Sequence, residues 1–133
     1  MGTDQDFLRQ AVRVGNQKAE PYNFGVVIVK DGEILAEGVE HVFEQNDPSA
    51  HDGISAFREA SKKLGNYKLE GCTMYCSHEP CVMCFSAAIW AGIERVVYVT
   101  PKSADFPYEY DGVGLEYLAE RATKPIRLER LEI

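Results

Sequence analysis

Apolar residues recur at Phe7, Leu8, Ala11, Val12 and Val14, close to the period of an α-helix, and predict a first helix over about 4–18. Phe24-Gly25-Val26-Val27-Ile28-Val29 is a continuous run rich in β-branched residues, which reads as a buried strand. Asp31-Gly32 follows as a two-residue hairpin signal, and Ile34, Leu35, Ala36 and Val39 form the returning strand. Asn46-Asp47-Pro48-Ser49 reads as a turn and a helix start. Ile54, Phe57 and Leu64, helped by Ala56 and Ala60, line one face of a second helix over about 50–64, which Gly65-Asn66 ends. Cys72, Met74 and Cys76 alternate with Thr73 and Tyr75, the period of a strand. Pro80 suits the first position of a third helix, which runs through Trp90 and stops at Gly92. Arg95–Thr100 is a fourth strand, 101–113 a surface loop rich in Pro, Asp, Gly and Tyr, and Glu116–Arg121 a short helix. Ile126, Leu128, Leu131 and Ile133 suggest a last strand or extended segment.

This order predicts an α/β fold, with helices packed on both faces of one mixed sheet of about five strands. The hairpin supplies an antiparallel pair and the later strand–helix–strand passage a parallel one.

Length and charge narrow the picture. The 133 residues fit one domain over 1–133, with no internal repeat or linker. Fourteen Lys+Arg against 21 Asp+Glu give a net charge of −7. Phosphate contacts need clustered cations, so a nucleic-acid partner is disfavoured while a small neutral ligand stays open. No run approaches the roughly 18 apolar residues of a membrane helix, so no membrane partner is expected. Met1 to Asp6 is polar and acidic, unlike a signal peptide, and the expected compartment is the cytoplasm.

In that compartment four clustered cysteines point to metal or catalysis rather than to disulfides. Cys72 and Cys76 share one strand face and read as packing. Cys81-Val82-Met83-Cys84 is a C-x-x-C directly after Pro80, at a helix start where the dipole stabilises thiolates. The pair fits zinc, a redox dithiol or inert packing, and a third ligand would favour zinc. His51, at the start of the second helix, is the candidate: adjacent helices on one sheet face bring such starts together. One His and two Cys leave a fourth zinc position open.

These stretches resemble the zinc-dependent nucleobase and nucleoside deaminases, the cytidine/deoxycytidylate deaminase superfamily, whose signature is H-x-E followed by P-C-x-x-C. The resemblance covers most of the chain: Phe24–Gly32, Asn46–His51, Glu79–Cys84 and Ala88–Tyr98. Asn46–His51 and Glu79–Cys84 are most similar to the guanine deaminase and tRNA adenosine deaminase branches. It implies a three-layer α/β/α sandwich in which His51, Cys81 and Cys84 hold Zn2+ and a water completes the set. The implied reaction is zinc-hydroxide attack at the amino-bearing carbon of a small nucleobase or nucleoside, with release of ammonia. Within the family the net charge of −7, and the absence of a Lys/Arg-rich C-terminal helix, favour a guanine-type purine over tRNA. The resemblance further implies a homodimer paired through helices such as the one carrying Trp90, a residue that otherwise reads as core. His41 reads as surface.

By the same resemblance Asn46 hydrogen-bonds the base or sugar, and Phe24 lies along the pocket. From the residues alone, Asn46 also fits an Asx turn before Pro48, and Phe24 fits plain core. Asp105, in the aromatic and acidic loop, is a candidate to read an amino or imino edge, beside the alternative of a solvated loop.

The family motif requires Glu two residues after the His, and here the run is His51-Asp52-Gly53. Gly53 occupies the proton carrier's position, where general acid–base help is worth roughly 10²–10⁴-fold. Asp52, Glu79 and His78 are the candidates to replace it. Asp52 lies about 100° round the helix from position 53, and it also completes a capping box with Ser49. Glu79 equally fits a cap beside Pro80. The remaining readings are a catalytically silent zinc protein, acting as a ligand-binding or partner subunit, and a substrate that uses the space at Gly53.

Overall fold

A computed structural model describes residues 2–102, 110 and 113–133. Helix α1 (Asp4–Gly15) opens on a reciprocal cap, in which the Thr3 hydroxyl accepts the Asp6 N–H and the Asp6 carboxylate accepts that of Thr3. It ends before 18, because Gln17 and Lys18 donate to Val14 and Gly15 and tighten the chain into turns. Strands β1 (Val26–Lys30) and β2 (Glu33–Gly38) are joined by Asp31 and Gly32, both at positive φ (52° and 77°), as a tight hairpin requires. Phe24 and Gly25 precede β1 instead of opening it: the Gly25 N–H donates to the Ser77 hydroxyl of the adjacent β3 at 2.9 Å, not to a backbone carbonyl.

With β3 (Cys72–His78), β4 (Arg95–Thr100) and β5 (Arg127–Arg130), the strands form one sheet in the order β2-β1-β3-β4-β5. Pairing is antiparallel from β2 to β3 and parallel from β3 to β5, so the expected mixed five-strand sheet is present.

Alternation along the strands sets the layers. Val26, Ile28, Met74, Cys76, Val96 and Tyr98 face one side, against Ala56, Phe57 and Ala60 of α3 (Asp52–Leu64) and Phe85 and Ala88 of α4 (Val82–Ala91). Leu115 of α5 (Leu115–Arg121) joins them. Val27, Val29, Tyr75 and Val97 face the other side, against Phe7, Leu8, Ala11 and Val14 of α1. The result is an α/β/α sandwich. Cys72 and Cys76 are buried in the first of these clusters, as their alternation predicts.

Two more features depart from the sequence reading. The single-turn helix α2 (Val42–Gln45) was not foreseen: it buries no residue and so leaves no period, and the Glu40 carboxylate starts it by accepting the Val42 N–H. His41 caps its start and pairs with Glu44 at 2.9 Å. Trp90 is not core, since it stands 79% exposed on the outer side of α4. No helix among the described residues is long and apolar enough to cross a membrane.

Candidate metal centre

The carboxyl end of β3 runs through Ser77 and His78 into Glu79-Pro80 and on to α4. Cys81 is the N-cap of α4, its sulfur accepting the Cys84 N–H at 3.4 Å. Pro80 therefore stands before the cap, not in the first helical position. His51 is the N-cap of α3 and uses its extended backbone without a side-chain cap bond. Its ring turns to the neighbouring helix, with Nδ1 3.3 Å from Cys81 Sγ. The donor atoms of His51, Cys81 and Cys84 all lie within 4.8 Å of one another.

The donor set fits zinc. A hydrogen bond from the Cys84 thiol, reinforced by His51, holds Cys81 well below the ordinary thiol range, while Cys84 is pushed up. A thiolate is thus favoured where two helix N-termini meet, and one imidazole with two sulfurs is a set that zinc takes. Three protein donors leave a coordination position for a reacting ligand.

A cavity of about 350 Å3 adjoins these donors, and His51 and Cys81 form part of its wall. Phe24, expected along the pocket by resemblance and in a strand by its sequence run, lines it from the segment before β1. Its ring meets that of His78 edge-on, 4.5 Å between centroids at 66°. The neighbourhood follows from register: Val26 pairs with Cys76, so the residues before β1 lie beside those that end β3. His78 Nδ1 is 2.8 Å from the Ser77 hydroxyl, and burial lowers the pKa of the ring.

Asp52 also lines the cavity, contrary to the expectation that it aims elsewhere. The predicted capping box with Ser49 is absent: Ser49 instead bonds Asp47, through its N–H at 2.9 Å and its hydroxyl at 2.7 Å. Burial pushes the Asp52 carboxyl up to about 6. Glu79 lines the wall as well and accepts the Lys102 N–H at 3.1 Å, so it is no helix cap.

Gly53 is buried and outside the cavity lining. A Cβ there would meet Cys84 Cβ, Cys84 Sγ and Met74 Cε, each at 3.0 Å. That leaves no space beside Gly53 for part of a ligand, contrary to the expectation that a substrate uses it. Asn46 is not brought to the cavity; it closes α2 in the left-handed conformation (φ 49°) and is exposed. Asp105 lies outside the described residues. Thr100, Pro101 and Lys102 were missed, although the parallel pairing of β3 and β4 sets Thr100 opposite His78. Glu20, Pro21 and Asn23 complete the wall without a sequence signal.

Helix starts that hold an imidazole and two sulfurs beside a small cavity define a thiolate–imidazole metal centre of the zinc class. Residues 1–100 match the cytidine and deoxycytidylate deaminase zinc-binding region, and the chain belongs to that family. It is similar to guanine deaminase of Bacillus subtilis (strain 168), 52% identical over 97 residues, which cover 71% of this chain and 62% of that protein. It is also similar to the tRNA-specific adenosine deaminase of Aquifex aeolicus (strain VF5), 40% identical over 91 residues, 68% of this chain and 59% of that one. The chain thus spans about three fifths of the length of these curated relatives. Among solved structures, one from work on A-to-I editing by tRNA:A34 deaminases superposes with a TM-score of 0.82 at 25% identity, covering 96% of this chain and 98% of that one. The X-ray structure of the Bacillus subtilis guanine deaminase gives 0.70 at 35% identity, covering 90% and 91%.

Proposed function

We propose that the chain is a zinc-dependent aminohydrolase acting on a small free base or nucleoside, with a guanine-type purine favoured. The observation that carries this is the convergence of His51, Cys81 and Cys84 beside a cavity of about 350 Å3 walled by Phe24 and Asp52. That volume is at the small end of ligand sites and suits a single base. The higher identity to a guanine deaminase and the net charge of −7 support a purine base over tRNA.

His51, Cys81 and Cys84 are the residues that hold zinc, which when bound supplies a water made nucleophilic at neutral pH. Phe24 packs along the base. Asp52 takes over the holding and moving of protons from the family's glutamate, because it directly follows His51 and lines the cavity. Glu79 is less suited, with its carboxylate already accepting the Lys102 N–H. We further infer that two copies pair through the outer side of α4, where Trp90 stands exposed and the helix carries no charged residue.

The experiment is ammonia release by zinc-loaded protein over guanine, adenine, cytosine and their nucleosides. Guanine is expected to turn over, and Asp52→Asn to lower the rate by roughly 10²–10⁴-fold with zinc content unchanged. No turnover on any base with one zinc per chain would leave a silent zinc protein in place of the enzyme. A zinc-free preparation would remove both. Light scattering on the same samples decides the pairing, which a monomer overturns.

A further inference from the structure

We infer that His78 is a fixed hydrogen-bond donor in the cavity wall that selects the ligand through an acceptor atom. For the guanine-type base proposed above, on which this part rests, that atom is the carbonyl oxygen.

The argument begins with Ser77, which is 1% exposed. Its oxygen accepts the Gly25 N–H at 2.9 Å, and a backbone amide can only donate. The hydroxyl hydrogen then needs an acceptor of its own, and His78 Nδ1 lies 2.8 Å away. Ser77 therefore donates and Nδ1 accepts, which leaves the ring hydrogen on Nε2. A hydrogen on Nδ1 would force the Ser77 hydroxyl to accept twice and strand its own hydrogen in the interior, a costly arrangement.

The ring is also pinned mechanically. The Ser77 N–H donates to the Gly25 carbonyl at 2.9 Å, so residues 25 and 77 clasp each other in both directions where β1 and β3 meet. Phe24, next to that clasp, holds the imidazole edge-on at 4.5 Å. The donor is thus set on paired strands and not on a free loop. His78 lines the cavity, and with Nδ1 turned to buried Ser77 the remaining ring nitrogen is what it can offer a ligand. The carboxylates of Asp52 and Glu79 on the same wall accept hydrogens, so His78 presents the opposite polarity. A ligand needs N–H groups toward the acids and an acceptor toward His78. A guanine-type base has both, and its carbonyl is the acceptor that 2-aminopurine lacks.

Long-range proton–nitrogen NMR on the zinc-loaded wild-type protein tests the donor directly. His78 is expected as the Nε2–H tautomer near neutral pH, and an Nδ1–H or averaged ring overturns the inference whether or not any base binds. Binding of guanine and of 2-aminopurine then tests the selection. His78→Leu is expected to weaken guanine by about 2–12-fold, the range of one neutral hydrogen bond, while 2-aminopurine stays unchanged. His78→Gln, whose amide N–H reaches a similar place, is expected to recover part of the loss. Equal losses for both bases would reduce His78 to a packing residue. If the wild type binds neither base, the guanine-type reading falls and the carbonyl with it, while the NMR result still decides the donor.

Discussion

His51 and Gly53 stand at the start of the same helix, yet their positions have had different fates. At 51 the imidazole meets two sulfurs from the neighbouring helix, and all three donors lie within 4.8 Å of one another. Two residues on, where the family motif carries its carboxylate, the helix presents bare backbone, and a Cβ added there would meet Cys84 and Met74 at 3.0 Å. The difference lies in what each position owes to the fold. Cys81 and His51 are both helix caps, and Cys84 donates its N–H to Cys81, so the metal donors also serve the architecture. A catalytic carboxylate has no such duty. At Gly53 an added Cβ would already touch Cys84 and Met74, while Asp52, one position earlier, lines the cavity.

The strongest way to break this contrast is to remove a donor. Cys84→Ser is expected to lower zinc affinity on the order of 10³-fold, since a two-donor site cannot compete for the ion. Chelator competition measures it, and retained zinc would mean that Cys84 is not a ligand. The next test adds to position 53 instead of subtracting from 51. Gly53→Ala gains roughly 0.5–1 kcal/mol of helix propensity, but it drives a methyl group into Cys84. The expected result is zinc affinity lower by about tenfold, the range for residues that position a ligand. Adding Met74→Val should recover part of it, because one of the three close contacts is to the Met74 methyl. Unchanged zinc affinity in Gly53→Ala would show that Cys84 moves aside freely.

The smallest effect is far from the site and serves as the control. Arg95 binds Asp4 at 2.7 Å and Glu129 at 2.8 Å, tying α1 to β4 and β5. The Arg95 hydrogen bonds hold the Asp4 carboxyl down at about 2, against an ordinary 3.8. A lowered carboxylate contributes stability above its unfolded value and loses it as pH falls through the folded one. Urea unfolding of wild type against Asp4→Asn should therefore differ by about 1 kcal/mol at pH 6, after allowance for solvent screening. The gap should close between about pH 4 and 2, with zinc affinity at neutral pH unmoved. A gap independent of pH would assign the effect to packing.

Much of the fold was legible because β1 and β4 are unbroken runs rich in β-branched residues and β3 alternates, and because glycines at 32, 65 and 92 stop elements where backbone must turn left-handed. The metal donors were legible for a related reason: helix starts carry fixed residue types at fixed spacing. The errors share a cause as well. Asp52 was assigned a direction from the helical period, but it is the first helical residue after the cap, where the entering chain still governs orientation. Ser49 looked like the cap because its spacing to Asp52 fits, yet it is spent on the Asp47 turn. Thr100 to Lys102 reach the cavity through strand register, which no local pattern contains.

Cys81 carries one consequence beyond catalysis. Its sulfur caps α4 by accepting the Cys84 N–H, so an atom that would hold the ion also serves as the acceptor of the helix start. Metal uptake then exchanges protons for an ion at an atom that the helix start also uses. Protons and metal compete there for the same sulfur atoms, so acidity and chelators should empty the site reversibly while the sandwich around it stays intact.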